Sequence, residues 1–321
     1  MKETTRYFQA HIALACAAII YGANYIIAKS VIPNPIDPNS FIVLRVLGSC
    51  LLFWLLWNRR IKIPDRADWG RFVLCAVCGV ATNQLLFFNG LALTSPINAA
   101  IIMTSNPIMV MLISAVLLRS KITWIKVVGI ALGAIGAISL LLLSKFDLSR
   151  MSSWQGDLCI LINSLAWAFY LVLVKPLLRK YDAMMVTAWV FLIGVFLVLP
   201  FGGKTVVSLP WATLSAWQWF SIFYVVVFVT FFAYLLNMFA IHHSTPTLAS
   251  SYIYFQPLLA GIFAWIATFF MDRDFTGDIT WVKVGCAALI FLGVYLVSRS
   301  ERAGGNQSNW RGNSKKGRNI A

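Results

Sequence analysis

Amides and aromatic rings recur at helical spacing on segments that are otherwise apolar. Asn163, Trp167 and Tyr170 follow one another at four and three residues, so they share one helix face, and Ala249, Tyr252 and Gln256 repeat nearly the same spacing. Tyr21 with Asn24 and Tyr234 with Asn237 are each one turn apart, Asn83 and Gln84 are adjacent, and Asn106 stands before a proline. An amide brings donors and an acceptor in one plane, and an aromatic face brings contact area with a directed quadrupole. That chemistry recognises a small polar organic molecule without breaking a bond in it. Tyr21, Asn24, Asn83, Gln84, Asn106, Asn163, Trp167, Tyr170, Tyr234, Asn237, Tyr252 and Gln256 are therefore the candidate substrate contacts. The plainer alternative is that these groups join transmembrane helices, at about 0.6 kcal/mol per hydrogen bond. Recurrence at aligned positions favours a cavity.

Chemistry of the bond-making kind has less support. His11 stands near the start of the first apolar segment and His242–His243 after the eighth, with no convergent acid, so an intramembrane enzyme lacks a constellation. Every Asp and Glu falls in a predicted loop or helix end, which leaves no midplane carboxylate for a proton or a cationic drug. Cys75 and Cys78 form a C-x-x-C, but no further ligands lie nearby in sequence. We expect no metal, no cofactor and no disulfide, with all six cysteines packed as small apolar residues.

Two prolines carry a different signal. Pro107 and Pro257 are expected near the middle of the fourth and ninth segments, as helix kinks. A proline there leaves carbonyls near residues 102–104 and 252–254 short of partners, which lipid tolerates only beside a water-filled cavity or other helices. Pro96 and Pro246 read as helix starts.

The elements that position these residues follow from composition. The chain has 60% hydrophobic and 12% charged residues, far from the roughly one-quarter charged content of soluble domains. Apolar runs recur near the ~20 residues that span a bilayer, at 10–31, 41–58, 71–93, 97–118, 124–143, 157–178, 183–200, 217–240, 247–270 and 281–298. The expected fold is an all-α polytopic membrane protein of ten transmembrane helices. Nineteen of the 26 lysines and arginines fall on one side of this topology and six on the other, with Arg45 inside a helix. The positive-inside rule then puts both termini in the cytoplasm, of a cell inner or plasma membrane, and accounts for the net charge of +15 without nucleic acid. Lys29 and Arg45 are expected to snorkel from helix ends, with guiding an anionic group as the alternative, and Lys175 is similar. The tail from 299 to 321 is basic and poor in apolar residues, and is expected to be disordered and to touch lipid.

The chain is also written twice. ITWIKV at 122–127 returns as ITWVKV at 279–284, the Trp69–Pro96 interval equals Trp219–Pro246, and Tyr21–Lys29 aligns with Trp167–Lys175. This gives a cytoplasmic segment at 1–9, one five-helix unit at 10–143, a connecting loop at 144–156, a second unit at 157–298 and the tail. Five is odd, so the units enter the membrane from opposite sides and form an inverted repeat.

These halves, the small-residue-plus-proline pattern of the fourth and ninth helices (NAAIIMTSNP, LASSYIYFQP) and the glycine-rich fifth helix (GIALGAIGAISLL) resemble the EamA-domain branch of the drug/metabolite transporter superfamily. The resemblance covers residues 10 to 298. It implies a substrate path lined by helices 1, 3, 4, 6, 8 and 9, and cargo among amino acids, nucleosides and other metabolites. Many members carry an acid after the fourth and ninth helices; here the fourth ends LLRSKIT, and Asp272 or Asp274 follows the ninth.

The expected function is secondary transport, in the export direction, of a small neutral or zwitterionic metabolite such as an amino acid, by alternating access. The alternatives are an intramembrane enzyme and a non-transporting receptor or scaffold that keeps the fold. The glycine faces of helices 5 and 10 suit close backbone approach, as scaffold or as a homodimer contact.

Overall fold

The computed structural model describes residues 2–29, 31, 36–57, 63–93, 99, 102–142, 153–209, 211–256, 258–259, 262–263 and 281–316. We label the helices α1 (Lys2–Lys29), α2 (Pro38–Leu56), α3 (Arg66–Leu93), α4 (Asn106–Leu117), α5 (Trp124–Leu142), α6 (Trp154–Lys180), α7 (Ala183–Val207), α8 (Ala216–His243), α9 (Pro246–Ser251) and α10 (Trp281–Lys316). No strand occurs among the described residues. Six helices there are long and apolar enough to cross a membrane.

The packing has the pattern of an inverted repeat. α2 lies on α7, α4 on α9 and α5 on α10, each pairing equivalent helices, while α1–α8 and α3–α6 exchange partners between halves. Individual contacts obey the same operator. A Cβ placed on Gly48 would lie 2.8 Å from Val226, and one on Gly194 would lie 2.6 Å from Val80; Gly48 to Gly194 and Val80 to Val226 are both steps of 146. Likewise Gly129 abuts the Gly293 carbonyl and Gly136 abuts the Cys286 carbonyl; Gly129 to Cys286 and Gly136 to Gly293 are both steps of 157. Reciprocal contacts of this kind mark a two-fold relation. In the third helix pair they follow 146, one helical turn less than the 150 given by the tryptophan and proline spacing.

Helix α5 packs closely against α10. Gly293 comes so near that a Cβ there would sit 2.6 Å from the Gly129 carbonyl and from the Gly133 nitrogen. Only glycine permits this. Gly129, Gly133, Gly136 and Gly293, from the faces expected to serve as scaffold or as a homodimer contact, thus pack between α5 and α10 within one chain.

Both third helices carry a π-helical segment, Val77–Thr82 in α3 and Val225–Phe232 in α8. Such wider turns are rare and concentrate at functional sites. Nothing in the apolar periodicity announced them.

Several expectations change. Pro107 is the second residue of α4 instead of its middle, because the helix breaks at Thr104–Ser105. The Ile102 carbonyl, expected to face a cavity, accepts from the Ser105 backbone at 3.0 Å and from the Ser105 hydroxyl at 2.6 Å. In the second half α9 passes into a 3-10 turn at Tyr252–Tyr254; Pro257 itself, with Pro96, Asp272 and Asp274, lies outside the described residues. Lys175 does not snorkel. Its ammonium donates to the carbonyls of Ile241, His242 and Ser244, the last at 2.6 Å, and so caps the C-terminus of α8. The side chain of Lys29 is outside the described set. His242 and His243 form the last turn of α8 and not a loop, with His243 Nδ1 2.9 Å from the Phe239 carbonyl.

The tail departs most from its expectation of disorder. Helix α10 continues through Lys316. Extending an existing helix needs no new nucleus, and the junction is pinned where Glu301 meets Lys126 at 2.6 Å, both nearly buried.

Candidate functional site

The centre of the bundle is built where the two π segments face α2 and α6. Tyr234 of α8 donates its hydroxyl proton to the Gly79 carbonyl at 3.0 Å and accepts from Gln84 Nε2 at 3.2 Å. Gly79 is required here, since a Cβ would fall 2.4 Å from the Tyr170 ring. Around Tyr234 the rings of Trp167, Tyr170 and Phe191 lie at centroid distances of 5.5, 6.3 and 4.9 Å, in the edge and tilted arrangements that aromatic pairs favour. Asn237, one turn along α8, donates to the Tyr21 hydroxyl at 3.4 Å and to the Ala233 carbonyl at 2.8 Å. Six of the twelve candidate contacts, Tyr21, Gln84, Trp167, Tyr170, Tyr234 and Asn237, therefore converge.

Three others form a separate group within α3, α4 and α6. Asn83 donates to Asn163 at 2.7 Å, and Asn163 donates to the Met103 sulfur at 3.4 Å. Asn106 donates to the Ser164 carbonyl at 2.7 Å. Asn106, Asn163 and Tyr170 have no exposed surface. Tyr252 belongs to a third group, at the end of the bundle that carries the termini. His11 Nδ1 is 2.6 Å from its hydroxyl, while His11 Nε2 is 3.1 Å from Ser298, whose carbonyl accepts from Tyr7 at 3.2 Å. This group ties α1 to α9 and α10. Gln256 is half-buried in the last described turn before residue 257.

Unmatched acceptors mark what the site has left over. The amide oxygens of Asn24, Gln84 and Asn106 are buried without a partner. In a protein interior such groups normally find one. Asn24 shares a face with Tyr21, and Gln84 is one turn from Phe88 on α3.

Sequence reasoning singled out Arg45 but favoured the wrong one of its two readings. It does not snorkel: it is 7% exposed, and its Nε donates to Thr230 at 3.1 Å, halfway along α8. Thr230 in turn donates to the Val225 carbonyl at 2.8 Å. The guanidinium lies 5.2 Å over the Phe88 ring. The signal available in the sequence was a cation seven residues into a helix, about 10 Å from its start, with no acid on its face. His11 and Ser298 were missed as partners because they are 287 residues apart.

All six cysteines are free. Among the described residues no three His, Cys, Asp or Glu side chains converge as a metal site would need.

Two interlocked five-helix bundles, related by a two-fold operator and meeting at a polar centre, define a polytopic helical membrane protein of the transporter class. The chain belongs to the EamA-like transporter family, whose model matches residues 9–142 and again 154–299. Its relatives include an uncharacterized transporter of Archaeoglobus fulgidus, 27% identical over 80% of this chain and 88% of that protein. An uncharacterized transporter of Synechocystis sp. is 25% identical over 94% and 93%. The Arabidopsis thaliana protein WALLS ARE THIN 1 is 24% identical over 90% and 82%. A solved crystal structure shares the fold with a TM-score of 0.72, over 92% of this chain and 98% of its own, at 16% identity.

Proposed function

We propose that the chain is a secondary transporter that exports a small neutral or zwitterionic metabolite, an amino acid or a close relative, by alternating access at the interface of its two halves. The observation that carries this reading is the reciprocal packing of the halves around a centre with unmatched buried amide oxygens. An inverted repeat has two arrangements of similar energy, since exchanging the conformations of its halves turns one into the other. Partnerless acceptors at that interface suit a bound molecule with its own donors. The basic end of the bundle, with Lys126, Lys175 and Lys180, is assigned to the cytoplasm by the positive-inside rule, which sets both termini there and the chain in a cell inner membrane.

Purified protein in liposomes, followed with a labelled metabolite panel, tests the proposal. Saturable flux of at least one amino acid is expected, and flux equal to empty vesicles for every compound would contradict it. Asn24→Ala should lower that flux several-fold without loss of folded protein, whereas Asn163→Ala should act through stability.

A further inference from the structure

Three buried cations occur among the described residues, and two of them are answered by the protein. Lys126 has Glu301 and Lys175 has three carbonyls. Arg45 has one hydrogen bond, from Nε to Thr230, and a ring beneath it. A guanidinium carries five N–H donors in a planar fork that matches a carboxylate. The carboxylates of Asp37, Asp65, Asp68, Asp157 and Asp182 stand at helix ends and Glu301 is taken by Lys126, so among the described residues no carboxylate pairs with Arg45.

The scaffold does not require a cation here. The step of 146 that relates the halves maps Arg45 to Phe191 and Phe88 to Tyr234, and Phe191 packs on Tyr234 at 4.9 Å as Arg45 packs on Phe88 at 5.2 Å. An apolar ring fills the equivalent position in the second half. A buried charge without a counter-charge is unfavourable and normally neutralised or paired, so retaining one at the bundle centre points to a partner that comes and goes.

We infer that Arg45 holds the carboxylate of the cargo, in a bidentate pair formed by its free terminal nitrogens, and that molecules lacking a carboxylate are poor substrates. The amide oxygens of Asn24 and Gln84, on the neighbouring helix faces, accept from the donor end of the same molecule. This rests on the transport reading and narrows it to carboxylate-bearing cargo.

The test is binding to the purified full chain in detergent, read as the shift in unfolding temperature. The probes are phenylalanine, alanine and 3-phenylpropionate, each against its carboxamide. At least one acid should stabilise the wild-type protein while its amide does not. Arg45→Gln should weaken that binding about tenfold or more, the scale of losing a buried charge-assisted pair, and Arg45→Lys should keep part of it. Should Arg45→Gln fail to fold, phenylglyoxal labelling of Arg45 in the wild-type chain, read by mass spectrometry, gives a second measurement: the stabilising acid should slow labelling and the amide should not. Equal shifts from acid and amide, no shift from any acid, or an acid that leaves labelling unchanged would overturn the inference. Arg45-dependent binding without liposome flux would instead remove the transport reading, and flux of amides as fast as acids would leave transport standing without this site.

Discussion

The two halves of the molecule use one scaffold and two different centres. In the first half Arg45 lies over Phe88; in the second Phe191 lies on Tyr234, and both positions are related by the same step of 146. The glycine contacts, by contrast, are kept in both copies, Gly48 with Val226 and Gly194 with Val80. Close helix packing demands reciprocity, because each half must fit the other from both directions. Recognition does not, because a small metabolite with unlike ends has no two-fold symmetry of its own. Departures from the repeat are therefore where function is to be sought.

The largest expected effect would break the symmetric part. Gly293→Val places a side chain into the Gly129 carbonyl and the Gly133 backbone, contacts that cannot yield by a rotamer change. Overpacking of this sort costs roughly 1–3 kcal/mol or more. Loss of monodisperse folded protein on size-exclusion chromatography is the expected result, with Gly129→Val giving the same outcome from the other side.

Next in size, the reciprocal glycine–valine contacts sharpen the comparison. Gly48→Ala and Gly194→Ala should each destabilise by about 1–2 kcal/mol, and Val226→Ala or Val80→Ala respectively should recover most of it. Thermal unfolding of the four singles and two doubles checks this. Similar coupling in both pairs supports a shared scaffold; coupling in one alone would limit the symmetry to part of the bundle.

A smaller effect separates the two centres. Phe191→Leu should lower stability by about 1 kcal/mol and leave the preference for acid over amide intact, whereas Arg45→Gln should remove that preference. The smallest effect belongs to the helix break: Ser105→Ala removes the hydroxyl that answers the Ile102 carbonyl and should cost about 1 kcal/mol or less, seen as a slight fall in unfolding temperature.

Much of the architecture was legible in the sequence because it depends on coarse periodicities. Segment length and apolarity separated the helices, and ITWIKV with ITWVKV exposed the repeat. Six amide and aromatic residues expected to meet do meet around Tyr234, because helical spacing fixes faces. Other features depend on contacts that no local pattern encodes. Arg45 looked like a residue near a helix end until α8 supplied Thr230 to draw it inward. Lys175 found its carbonyls on a helix 66 residues away in sequence. The break before Pro107 required knowing that Ser105 satisfies the turn, and the π segments leave composition unchanged. The tail read as disordered from its polarity, yet its helix inherits direction and register from α10.

The inverted arrangement is the claim on which the rest stands, and side-specific labelling tests it most directly. Asp37 precedes α2 and Asp182 precedes α7, so they are equivalent helix starts in the two halves. Asp37→Cys and Asp182→Cys, each on a cysteine-free background, should react with a membrane-impermeant maleimide from opposite faces of sealed vesicles. Labelling of both from the same face would contradict the account.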